Sequence, residues 1–368
     1  MADETRRAHG AYRLTGARGE ASEGEGDTEV TDQGLTVGPL AFEHLDADAL
    51  ADSDRVLTLS PWPQGNLAVS QLARRHGTFA AALKESRDRA RTAGLLAHGV
   101  TSPASFPGAL KEPGPEREAR LLVYATHLTV VPHDGDPFQV PYGALSAVRF
   151  EAEPWSVALE SSGGRVVVGK LARQTDAFRR ALAAARDEQG RRLSKLGGSP
   201  RFADGVGVPL EEVAGAEGLL EAWTAPERAE CVKAILSAAD RKGARLGLVE
   251  LLDPDEESLA AKVPLPENVA AFLLAPVGGK VVLELLSGPS AATYVFEGEP
   301  GALNRDLQAL HFRRGPLSLT EKEAAGEKGR AYRLALRRLE PLKRLRAAVR
   351  ARVIHNDGWA QVFTRAVG

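Results

Sequence analysis

The seventeen residues from Leu72, LARRHGTFAAALKESRD, return 99 positions later as LARQTDAFRRALAAARD from Leu171. Leu72, Ala73, Arg74, Phe79, Ala82, Leu83, Arg87 and Asp88 reappear as Leu171, Ala172, Arg173, Phe178, Ala181, Leu182, Arg186 and Asp187. No other feature constrains the fold as much, because the chain must accommodate one structural unit at least twice.

The correspondence continues upstream. Leu57 and Leu59 alternate with polar residues as Val157 and Leu159 do, which is the period of a half-buried strand. A turn follows in each copy, SPWPQG and then ESSGG, ended by Gly65 and Gly164; Leu67 and Val69 then match Val166 and Val168. The pattern predicts a β-hairpin that runs directly into a helix. Further back, Leu35-Thr36-Val37 echoes Leu128-Thr129-Val130. Phe79 and Leu83, like Phe178 and Leu182, lie one helical turn apart and share a face, so each helix can bury an apolar stripe over the open end of its sheet. Asp176 is placed to favour the start of the second helix, where the first copy has Gly77 and Thr78.

The second copy offers six candidate strands: Leu121–Tyr124, Leu128–Val131, Phe138–Tyr142, Leu145–Phe150, Trp155–Leu159 and Val166–Val168. A helix follows from about Asp176 to Arg186. Short antiparallel strands closed by one C-terminal helix resemble the pleckstrin-homology-like (PH-like) superfold, in particular the small tandem PH-like domains of bacteria. The resemblance implies seven strands per unit. It also implies cations in the first hairpin of lipid-binding members; here that hairpin is VVPHDGDPF, with Asp134 and Asp136, which argues against phosphoinositide binding there. A third, degenerate copy is expected over 242–313, because Phe296, Leu303 and Leu307 repeat the seven-then-four spacing after strands at Val281–Leu285 and Ala292–Phe296, with SGPS as the turn.

The fold class expected is therefore α+β: repeated small antiparallel β-sheet or barrel units, each closed by a C-terminal amphipathic helix, with helical linkers and a further C-terminal helix. Residues 1–28 lack periodicity and are expected to be mobile. The first unit is assigned to 29–98 and the second to 118–193. The proline-rich stretch 99–117 reads as a linker. Residues 194–241 carry a further linker and two helices, at about 210–223 and 226–240. Residues 314–368 form a basic amphipathic helical segment.

Composition adds bounds. With 368 residues, two or three domains are expected. The formal charge of −2 makes the whole chain no electrostatic magnet, so charge-driven binding must be local. One cysteine, Cys231, permits no internal disulfide and suits a reducing compartment. The N-terminus has no apolar signal segment and no stretch is long enough to span a bilayer, so a cytoplasmic location is expected.

Chemistry-bearing motifs are sparse. PVGGKVV lacks the rest of a phosphate loop and reads as a hairpin turn, and the glycines of DGVGVP follow no strand. The histidines show no helical ligand spacing, although His127 and His133 fall on one strand face; DPDEES at Asp253 lacks the glycine and distal glutamate of a calcium loop. Cys231 falls on an apolar helix face, and no GxSxG elbow occurs. No catalytic, cofactor or metal residue is nominated, and the chain is read as a non-enzyme.

The candidate interaction residues are Arg333, Arg337, Arg338, Lys343, Arg344, Arg346, Arg350 and Arg352. They lie among Tyr332, Leu336, Leu339, Leu342, Leu345, Val349 and Val353, which recur at three- and four-residue steps, with Pro341 expected to split the helix. The functional expectation is a scaffold or adaptor whose tandem PH-like units bind protein partners or self-associate. The alternative is a protein that grips nucleic acid or an anionic membrane through this basic segment.

Overall fold

A computed structural model describes residues 4–61, 65–151, 155–161, 163–203, 207–252, 265–266, 268–287 and 292–368. The DPDEES motif lies outside the described residues, as do parts of the SPWPQG, ESSGG, DGVGVP and SGPS turns.

The described residues form three antiparallel sheets. The first holds β1 (Arg7–Thr15), β2 (Ala21–Val30), β3 (Gly34–Val37), β4 (Leu40–Glu43), β5 (Ala47–Ser53), β6 (Val56–Pro61) and β7 (Asn66–Ser70). The second holds β8 (Ala104–Glu112), β9 (Arg117–Val123), β10 (His127–Pro132), β11 (Phe138–Pro141), β12 (Leu145–Glu151), β13 (Ser156–Ser161) and β14 (Gly164–Gly169). The third holds β15 (Val208–Pro209), β16 (Arg245–Glu250), β17 (Val269–Val277), β18 (Lys280–Leu285), β19 (Ala292–Phe296) and β20 (Val349–Ile354). Helices are α1 (His76–Gly94), α2 (Thr175–Gly197), α3 (Ala216–Trp223), α4 (Ala229–Ala238), α5 (Pro300–Ala309), α6 (Glu321–Ala325), α7 (Arg333–Arg338), α8 (Glu340–Ala348) and α9 (Trp359–Val367).

The first two sheets have one strand order, β4-β3-β2-β1-β7-β6-β5 and β11-β10-β9-β8-β14-β13-β12. The registers of the hairpins before the helices match: Leu57 faces Val69 and Leu59 faces Leu67, as Val157 faces Val168 and Leu159 faces Val166. The backbone repeats even its unusual angles. Gln71 and Ala73 have φ of 59° and 48°, and Lys170 and Ala172 have 54° and 47°. Left-handed conformations at non-glycine residues cost energy, so their recurrence marks a connection dictated by the same geometry twice. Phe79, Leu83, Phe178 and Leu182 are all buried.

By internal contacts the chain divides into two units. Unit 1 comprises residues 1–98 with 134–138 and 330–338; unit 2 comprises 99–133, 139–329 and 339–368.

In unit 1, residues expected to be mobile form β1 and β2. Glycines and charges hid them from a reading based on hydrophobic period. Their register sets Arg7 opposite Glu29, His9 opposite Asp27 and Arg13 opposite Glu23, and each pair lies within salt-bridge distance. Cross-strand partners of opposite charge support an antiparallel pair, but only the register reveals them. Gly24 fits because a Cβ there would meet the Tyr12 ring at 2.8 Å. The core gathers Val30, Leu35, Val37, Leu57, Leu59, Leu67 and Val69 beneath Phe79 and Leu83.

His44 begins the turn between β4 and β5 and is buried. Its Nε2 lies 3.0 Å from the Thr31 carbonyl and 3.0 Å from Ser86 Oγ, and Ser86 donates to the same carbonyl at 2.7 Å. Burial lowers its pKa below the ordinary value of 6.5; Arg87 and Arg89 push the same way, against Thr31 and Asp32. The folded pKa is depressed, so this contribution to stability is present above the unfolded value and is lost as pH falls through the folded one. Unit 1 is therefore expected to lose stability between about pH 7 and pH 5, and His44→Gln to flatten that dependence. Urea midpoints at the two pH values check it, and equal slopes for wild type and variant would refute it.

In unit 2, the stretch expected to link the copies forms β8, the seventh strand. Pro107 suggested a breaker, yet β14 pairs only with Ala109, Leu110 and Glu112, so Pro107 lies beyond the part of β8 that β14 engages. A proline is tolerated where no ladder bond is required of it. Gly108 admits the close passage of Gly169, whose carbonyl oxygen would lie 2.9 Å from a Cβ. α2 closes this sheet with Phe178 and Leu182, and its far end carries Leu193 into the core under the third sheet.

The third sheet is not a further copy. Its strands run β15-β16-β17-β18-β19-β20 in a plain meander. Leu303 and Leu307 are buried as the spacing implied, but α5 does not end the sheet: the chain passes through α6, α7 and α8 and returns as β20 against β19. α9 then lays Trp359, Phe363 and Val367 into the core with Val232 and Ile235 of α4. The basic segment is thus no single helix. Leu339 has extended backbone with Pro341 in the first turn of α8, and the chain beyond Ala348 is a strand. PVGGKVV forms the β17–β18 turn, with Gly278 and Gly279 at positive φ. No helix among the described residues is long and apolar enough to cross a membrane.

Candidate interaction site

The eight basic residues nominated from sequence are spread over α7, α8 and β20 and both units. In unit 1, Arg333 lies 2.6 Å from Glu43 and 3.2 Å from Asp46, and Arg338 lies 2.7 Å from Asp136. Arg337 is also engaged. In unit 2, Lys343 pairs with Glu340 at 2.8 Å, Arg344 with Asp306 at 2.6 Å and Arg350 with Glu297 at 2.5 Å. Arg346 donates to the carbonyls of Pro316 (2.5 Å) and Leu319 (2.8 Å). Arg352 is exposed on β20. The segment looked unopposed because, Glu340 apart, its acids come from residues 43 to 306, far away in sequence. Most of its charge is used internally.

A different surface emerges in unit 2, between β12 and the first half of α2. β12 is an edge strand, paired with β13 on one side. Between it and the helix runs a groove of about 470 Å³ lined by Val148, Phe150, Val157, Arg179, Arg180 and Arg186, among others. Val148 is 37% exposed and Trp155, at the foot of the same hairpin, is 60% exposed. Phe150 packs edge-on to Trp155 at 6.1 Å, and the Arg179 guanidinium lies over the Phe150 ring at 4.1 Å. Large apolar side chains are normally covered, so an exposed cluster beside an unpaired strand edge can receive another chain.

The first repeat differs at the matching positions. Register places Asp52 where the second has Phe150, and Asp52 is bound at 2.8 Å by His76 of α1, which matches Thr175. Arg87 and Asp88 are buried there, whereas their counterparts are less so: Arg186 is half-buried and Asp187 exposed. Arg87 donates to the Ala47 carbonyl at 3.2 Å, and burial together with Arg91 pushes its pKa down to about 10, opposed by Asp88 and Asp136. Arg91 pairs with Asp136. Sequence reading located the strand and helix of the groove but passed over these residues. The available signals were Val148 and Phe150, spaced by two on an edge strand, and the Arg87/Arg186 match within the repeat.

Other polar groups are structural. His127 stacks on Tyr124 at 4.7 Å and meets His311 at 4.6 Å, inside unit 2. Cys231 is half-buried on α4, and burial pushes its thiol pKa up. Among the described residues, no group of three His, Cys, Asp or Glu side chains is placed to hold a metal ion.

No family model and no curated protein matches this chain. Among solved structures, the C-terminal domain of an unknown protein from Leishmania infantum is similar at 15% identity and a TM-score of 0.24. The match covers 27% of this chain and 95% of that one.

Proposed function

We propose that the chain is a non-enzymatic scaffold or adaptor in which tandem PH-like units hold protein partners. Support comes from two sheets of one strand order, each closed by a helix with Phe and Leu at matching buried positions. The observation that carries the reading is the open groove beside β12, where an unpaired strand edge adjoins exposed apolar side chains. Strand edges and helix grooves recognise polypeptide by main-chain pairing and side-chain pockets. The basic C-terminal segment is not the surface proposed, because acids and carbonyls of the same chain engage most of its cations.

Size-exclusion chromatography with light scattering, and chemical crosslinking of the full chain in native lysate, test this reading. A defined partner or self-assembly is expected. A lone monomer that crosslinks to nothing above background would sink the proposal.

A further inference from the structure

We infer that the β12–α2 groove takes an extended segment of a partner protein that sets a carboxylate against Arg186 and Arg180, with apolar side chains over Val148 and Phe150. The inference rests on the adaptor reading and names the chemistry of the partner.

The internal duplication carries it. In unit 1, Arg87 on α1 is faced by Asp88 of its own helix and, together with Arg91, by an acid from outside the helix. Asp136, on the separate segment 134–138, pairs with Arg91 and with Arg338 and faces Arg87 electrostatically. Arg186 occupies the position of Arg87 on α2, at the wall of the groove, while Gly190 stands where α1 has Arg91. Among the described residues no acid forms an ion pair with Arg186 or with Arg180, although Arg179 lies 3.6 Å from Asp176. Asp176 and Asp187 line the groove too, so three arginines, Arg179, Arg180 and Arg186, face two carboxylates there and leave the lining net positive. A half-buried guanidinium next to apolar surface gains most from a carboxylate delivered with its own apolar flank, because pairing in a partly desolvated place is stronger than in water. Across the groove, β12 is the edge strand of its sheet and, among the described residues, no strand pairs with its outer side, where an extended segment could add by main-chain pairing. Charge and shape thus select an acidic, apolar strand.

The test pans a random peptide display library against the full chain. Arg180→Glu/Arg186→Glu serves as the counter-target; Arg180 is exposed and Arg186 half-buried, and circular dichroism confirms that the variant is folded. Expected clones carry Asp or Glu beside aliphatic or aromatic residues and bind the variant about tenfold or more weakly, with Lys-for-acid peptides regaining affinity for the variant. Val148→Asp is expected to weaken the same clones. The inference is overturned by clones without acids, by clones that bind both proteins alike, or by no enrichment at all. It is also overturned if light scattering shows a homodimer that the double variant dissolves, since the occupant is then another copy of this chain. A native partner that crosslinks equally to wild type and double variant would remove the groove assignment while leaving the adaptor reading intact.

Discussion

Phe178→Ala is expected to destabilise the sheet that α2 closes by about 3–5 kcal/mol, and Phe79→Ala to do the same to the sheet beneath α1. Both rings are wholly buried. Removing either leaves a cavity that strands on one side and a helix on the other cannot easily collapse, so lost transfer energy and lost packing add. The two costs should not be identical. Phe178 meets the edge of Phe106 at 5.4 Å and 77°, whereas the register of the first sheet puts Ala8 at the matching place. An aromatic pair adds about 0.5–1.5 kcal/mol beyond burial, so Phe178→Ala should be the more damaging. Unfolding of a chain with several cores is not one transition. Hydrogen exchange resolved by strand is therefore the measurement: β6 and β7 should lose protection in one variant, β13 and β14 in the other. If either substitution costs less than about 1 kcal/mol, the two helices do not plug their sheets alike.

Glu284→Ala is expected to cost about 3–5 kcal/mol, a loss usual when one member of a buried charge cluster is removed and its partners stay. Glu284 sits on β18 with no exposed surface. Its Oε2 accepts from Thr293 Oγ1 at 2.6 Å, and that hydroxyl in turn accepts from Trp359 Nε1 at 2.8 Å. His355 Nε2 lies 3.1 Å from Oε1. Arg228, also buried, feels the same carboxylate and donates to the Leu285 carbonyl. Truncating the glutamate removes the acid with the largest effect on Arg228, leaving it Glu227 and the Leu285 carbonyl, and releases the tie between β18, β19 and α9. Thermal unfolding should fall together with exchange protection in α9. Glu284→Gln keeps an acceptor for Thr293 but removes the charge, and is expected to fall between. A cost within about 1 kcal/mol for Glu284→Ala would show that water reaches the cluster and screens it.

Part of this molecule could be read directly from its residues. The duplicated Leu-Phe-Leu pattern located α1 and α2, their buried faces and the hairpins ahead of them, because a helix stripe and a strand alternation are local periodicities that burial imposes on every copy. Strands β9 to β14 followed for the same reason. Strands β1, β2 and β8 did not. Their support is a partner across the sheet, such as Glu29 for Arg7 or Arg120 for Pro107, and a glycine or proline that looks like a break in isolation is harmless once that partner is known.

The acids that engage the basic segment were hidden on similar grounds. Counting charges along the chain found almost no acid near Arg333 or Arg344, while the fold supplies Glu43, Asp46 and Asp306 from elsewhere. The groove beside β12 is the converse case, a surface made by an edge strand and a helix that composition does not advertise. Sequence by itself determined which faces turn inward, since hydrophobic period is a property of neighbours along the chain. Only the tertiary structure decided which charges are satisfied and which edge stays open, because Coulomb pairing and strand pairing act through space between residues that the sequence keeps far apart.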